Sequence, residues 1–173
     1  MATRKSVWIL IGILVISAWV LGSAIQAGAE TMKCRIANTV TKDEIISVGD
    51  EEGHVLGLRI TEGLAFFENG EIARMRSHGA YDSIPGKRGQ AIGYITLTFE
   101  DESTIVYKFQ RLRVPGQSGT GSANVTGELT KGTGRFKGIK GTIFGTGKSF
   151  PAIKGEAGRS TSDITFTYTL PTK

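Results

Sequence analysis

Two charged side chains stand out because of the company their spacing gives them. Leu56, Leu58, Ile60, Glu62, Leu64 and Phe66 share parity, so a strand here carries Glu62 in the middle of an otherwise apolar face. Arg111 follows Ile105, Tyr107 and Phe109 at the same two-residue spacing. If both faces line one interior, a carboxylate and a guanidinium lie inside it. Burial raises a carboxyl pKa unless a cation offsets it, which would let Glu62 bind or polarise a ligand as an acid, a base or an anionic stabiliser. Glu62 is therefore the candidate catalytic residue, and Glu62, Phe66, Phe99, Tyr107, Phe109 and Arg111 are the candidate ligand-binding set. Two plainer readings stand beside this one: a structural ion pair, or a bulge at Gly57 or Gly63 that turns Glu62 to water.

Other chemistry is thinner. His54 and His78 are the only histidines, and without a cysteine cluster they make no convincing metal site. The single Cys34 cannot bridge within the chain and reads as a strand residue that packs as a small hydrophobe. Gly145-Thr-Gly147-Lys148-Ser149 resembles the end of a phosphate-binding loop, but Thr142 stands where the pattern needs glycine. No cofactor is expected. Asn124-Val125-Thr126 matches a glycosylation acceptor, which matters only in a eukaryotic source.

The elements that would position these residues are strands. After the first 29 residues no window sustains helical periodicity, whereas period-two alternation recurs between turn signals. Ile164, Phe166, Tyr168 and Leu170, for example, alternate with Asp163, Thr165, Thr167 and Thr169. Eight strands are expected, near 32–40, 54–67, 71–82, 90–100, 103–114, 123–130, 139–149 and 162–170. Asn69-Gly70 signals a two-residue hairpin with φ > 0 at both positions, and Glu100-Asp101-Glu102 a second hairpin of another turn type. Short links favour sequential antiparallel neighbours, and eight such strands close into an up-and-down barrel wide enough for one small ligand. A sandwich is the alternative. The glycine-rich stretches near 116–121 and 145–158 are expected at the barrel mouth.

The N-terminus reads as an export signal: Arg4 and Lys5, an uncharged apolar run from Val7, and Ala27-Gly28-Ala29 as a cleavage site. Residues 1–29 form that segment and 30–173 the barrel domain. If uncleaved, residues 7–25 would anchor the chain in a membrane. Either way the folded part is expected outside the cytoplasm, secreted or periplasmic. Residues 131–173 hold eight basic and two acidic residues, net +6. No base-stacking motif accompanies them, so they read as a solvated basic surface and no nucleic-acid partner is expected.

Residues 129–142, Leu-Thr-Lys-Gly-Thr-Gly-Arg-Phe-Lys-Gly-Ile-Lys-Gly-Thr, resemble a late connection in the allene oxide cyclase and dirigent barrel superfamily. The Phe-Glu-x-x-Ser-Thr segment at 99–104 is similar to its bacterial members. The resemblance implies an eight-stranded barrel with an apolar cavity, often in a homotrimer. In the plant cyclases that cavity takes a fatty-acid epoxide; in dirigent proteins it orients phenolic radicals. No catalytic residue of either group maps onto a matching position here. The functional expectation is a barrel that binds a small apolar or amphipathic ligand; the alternatives are a cofactor-free isomerase or cyclase and a structural or interaction domain with a filled core.

Overall fold

The computed structural model describes residues 28–116, 120–151 and 153–172, so most of the expected export segment lies outside the described residues. Eight strands follow one another: β1 Glu30–Ser47, β2 Val55–Phe67, β3 Ile72–Ser83, β4 Gly89–Thr98, β5 Thr104–Pro115, β6 Gly121–Gly132, β7 Lys140–Ser149 and β8 Arg159–Thr169. Each pairs antiparallel with the next, and β1 pairs with β8, which closes the barrel. Closure leaves no free edge and rules out the sandwich.

Two expectations about local structure are corrected. β1 runs to Ser47, seven residues beyond the expected end, because a bulge between Val40 and Lys42 resets its register against β2. The extra residue hides the alternation inside the charged run Lys42-Asp43-Glu44. The Asn69-Gly70 hairpin exists, but its loop has three residues. The Phe67 and Gly70 N–H groups donate to the Glu71 and Phe67 carbonyls, and only Gly70 has a positive φ, +88°. The β4–β5 hairpin repeats this frame, with the Phe99 and Glu102 N–H groups donating to the Ser103 and Phe99 carbonyls. Glu102 then takes the left-handed position at φ +59°.

Odd links of the meander cap one end of the barrel and even links the other, and the two ends differ inside. At the end of the β2–β3, β4–β5 and β6–β7 links the interior is solid. Phe67, Phe99, Phe136 and Phe166 form a chain of rings with centroids 4.9–6.3 Å apart, and Tyr107 meets Phe166 edge-on at 5.6 Å. Such ring pairs contribute about 0.5–1.5 kcal/mol beyond burial. The 129–142 motif builds the plug. Gly134 at φ +56° starts a 3-10 turn, Gly134–Phe136, which drops Phe136 onto Phe99. A methyl group on Gly134 would stand 2.7 Å from the Ser103 Cβ, so both backbone angle and space require glycine there. Arg135 lies 4.8 Å over both the Phe99 and Phe136 rings and pairs with Glu71 at 2.6 Å.

Candidate functional site

At the other end, inward positions shrink. β2 presents Gly57, Arg59 and Thr61 to the interior, β6 Gly121 and Ala123, β7 Gly145 and Gly147, and β8 Ser160 and Ser162. Arg59 apart, side chains this small cannot fill a barrel of eight strands. The space they leave is a cavity of 260 Å³ that opens between the β1–β2, β3–β4, β5–β6 and β7–β8 links, with Tyr81 and Phe150 at its apolar rim and Arg59, Arg111, Arg113 and Arg159 in its wall.

Carboxylates pair off most of that charge. Arg59 Nη2 donates to Asp43 Oδ2 at 2.5 Å, and the Tyr81 hydroxyl donates to the other Asp43 oxygen at 3.0 Å. The Arg59 guanidinium also stacks 4.3 Å from the Tyr81 ring, and a side chain at Gly57 would collide with that ring. Burial, ahead of the Asp43 contact, raises the Tyr81 pKa. Arg159 pairs with Glu156 at 2.6 Å. Among the described residues neither Arg111 nor Arg113 forms an ion pair.

Arg111 is the deepest of the four. Its one hydrogen bond runs from Nη2 to Ser162 Oγ at 3.3 Å, and its Nε is shut off from solvent without a partner. Burial depresses its pKa, and the neighbouring Arg59 charge acts in the same direction. Below it the Tyr107 hydroxyl is likewise buried and unpartnered, its pKa pushed up by burial. Cys34, in the packed region, has its thiol pushed up to about 12 by burial, which keeps it protonated and inert.

The expected site residues divide. Arg111 faces the interior as its spacing implies. Phe99, Tyr107 and Phe109 also face inward, but they are buried in the packed core and do not line the open cavity. Glu62 and Phe66 are corrected: the apolar stripe of β2 is its outer face. Glu62 pairs with Arg76 on β3 at 3.2 Å, half exposed, and Phe66 is exposed beside it. The inner face is the glycine-bearing one, Gly57, Arg59, Thr61, Gly63, Ala65 and Phe67, so a rule that sends apolar residues inward inverts this strand. Sequence reasoning thereby missed Arg59, and with it Asp43 and Tyr81. The available signal was small residues at Arg59 parity on β2 and at Arg111 height on the facing strands.

Outside the barrel the displaced stripe has company. Ile46 pairs with Leu56, Leu58 with Ala80, and Ala80 with Ile92, and together they floor a shallow surface groove of 580 Å³.

No protein-family profile matches the chain, and no curated protein matches it in sequence. Solved structures do resemble it. The pterocarpan synthase dirigent protein GePTS1 superposes with a TM-score of 0.50 at 13% identity, over 88% of this chain and 96% of that one. A conserved protein of unknown function from Rhodopseudomonas palustris gives 0.46 at 12%, over 81% and 98%. The pterocarpan synthase dirigent protein PsPTS1 gives 0.43 at 12%, over 82% and 97%. At such identities the likeness to GePTS1 concerns fold alone. With eight sequential antiparallel strands closed on themselves, the chain shares the barrel fold of that dirigent protein.

Proposed function

We propose that this protein is a binding barrel that takes a small amphipathic molecule into its open end. The observation that carries the reading is the contrast inside one barrel: a solid aromatic end beneath a 260 Å³ cavity that glycine, alanine and serine keep empty. A fold with no use for that space gains stability by filling it, since an interior void forfeits packing contacts. The cavity has the volume of roughly nine water molecules at about 30 Å³ each. That size suits a single aromatic ring with a short chain, its apolar part against Tyr81 and Phe150. The export-like residues 1–29 support action outside the cytoplasm. The outer apolar stripe supports a homo-oligomer, because patches of this kind on a lone soluble chain usually mark an interface. Glu62 faces outward and cannot serve as an acid or base within the barrel, which removes the residue on which an isomerase reading rested.

The test is native mass spectrometry of the full chain beside Ala91→Trp, which fills the cavity from β4. The wild-type protein should carry or take up a small molecule, and the variant should remain folded and empty. Equal uptake by both would place binding elsewhere.

A further inference from the structure

The unpartnered buried polar atoms of the described residues are three: Arg59 Nε, Arg111 Nε and the Tyr107 hydroxyl. Each can donate a hydrogen bond, and the two guanidinium nitrogens can do nothing else. A buried donor left unmatched costs about 1–3 kcal/mol, more when charged, so folded proteins rarely keep one. Here three occur in one region. Arg59 and Arg111 line one cavity wall, where the Arg59 charge disfavours that of Arg111, and Tyr107 lies two inward positions below Arg111 on β5. The carboxylates that could answer them are engaged elsewhere: Asp43 is shared between Arg59 and Tyr81, Asp82 is held by His54 at 3.0 Å, and Glu156 by Arg159. The wall is therefore short of an acceptor and of negative charge at its deepest point.

We infer that the polar end of the ligand is a carboxylate seated on Arg111, beside Arg59 in the same cavity wall. The inference rests on the binding reading above and names the chemical class it left open. A carboxylate matches a guanidinium edge with two parallel N–H···O bonds. It adds one negative charge where one deep positive charge is uncompensated, and it needs no group from outside the chain. Arg113, exposed at the rim, would draw the acid toward the mouth without fixing its orientation.

The experiment pairs acids with their neutral amides. Calorimetric titration of the full chain uses benzoate and benzamide, 3-phenylpropanoate and its amide, and hexanoate and its amide, with inorganic phosphate as a separate arm. At least one acid should bind about tenfold or more tightly than its amide, the ratio expected of one charge-assisted hydrogen bond. Arg111→Met should abolish that ratio by weakening the acid far more than the amide, and Arg111→Lys should retain part of it. Ligand-free Arg111→Met should also melt about 3 °C higher, because it removes an unpaired buried charge. Acid and amide binding equally would overturn the carboxylate assignment and leave the binding reading intact. No member of any pair binding would overturn the binding reading itself. Phosphate binding more tightly than every acid would replace the carboxylate with a different anion. A lower melting temperature for Arg111→Met would make Arg111 a structural residue and end the inference.

Discussion

At the closed end of the barrel, inward positions carry Phe67, Phe99, Tyr107 and Phe166, each buried against another ring. At the open end, inward positions on the same strands carry glycine, alanine, serine and arginine. One end maximises apolar burial; the other leaves space and exposes donors to it. The difference separates two tasks along a single strand set. Stability accumulates where the rings pack, and the open end can hold poorly satisfied polar groups because the rest of the barrel is already closed.

The largest effect should come from the packed end. Phe166 has no exposed surface and touches both Phe67 and Tyr107. Phe166→Ala should lose about 3–5 kcal/mol in chemical denaturation. In the surviving folded fraction, ligand affinity should stay near wild type. A loss below about 1 kcal/mol would mean that the closed end relaxes into the void, and the contrast between the ends would collapse.

A smaller effect sharpens the same comparison at the closed-end turns. Gly70 and Glu102 occupy equivalent left-handed positions, at φ +88° and +59°, in two hairpins of one frame. A side chain at such a position costs about 1–2 kcal/mol, which glycine avoids. Glu102 pairs with Arg74 at 3.2 Å, but both are well exposed, and such pairs contribute little. Glu102→Gly should therefore stabilise the barrel by about 0.5–1 kcal/mol. A destabilised variant would show that the Arg74 pair, or the Asp101 side chain that accepts from the Ser103 N–H and hydroxyl, depends on Glu102.

Closure and strand order were legible because alternation, short links and the 129–142 motif all pointed one way. The site was legible only in part, and the reason is physical. Parity arguments assume that the apolar face is the buried face. That holds for β5, where Ile105, Tyr107 and Phe109 lead inward to Arg111. It fails for β2, whose inner face is thinned to make room and whose outer face keeps Leu56, Leu58, Leu64 and Phe66. Asp43 was hidden differently. The bulge after Val40 shifts parity within a charged run, and only the register of Asp43 with Arg59 shows where it belongs.

The smallest effect concerns the rim of the open end. His54 closes the β1–β2 link: its Nδ1 faces Asp50 Oδ1 at 2.6 Å and its Nε2 faces Asp82 Oδ1, on β3, at 3.0 Å. Only the imidazolium can donate to both carboxylates at once. The Asp50 bond, then the Asp82 bond, outweigh desolvation and raise the native His54 pKa above its ordinary 6.5. The same contact lowers that of Asp50. A raised native pKa means that the folded state holds the proton more tightly than the unfolded chain. The stabilisation is complete below the ordinary imidazole range and is lost as pH rises through the raised native value. Lys87 and Glu51, paired at 2.5 Å between the β1–β2 and β3–β4 links, form a second contact at the same rim. Melting temperatures measured from about pH 5.5 to 8.5 should fall for the wild-type chain relative to His54→Gln, with the two curves converging at the alkaline end. The cavity should retain its ligand affinity at the acidic end, where Asp82 remains tied to the imidazolium and away from Arg111. Parallel melting curves would show that the two links hold together without the charge on His54, leaving the Glu51–Lys87 pair and the Gly53–Pro85 contact to fix the rim.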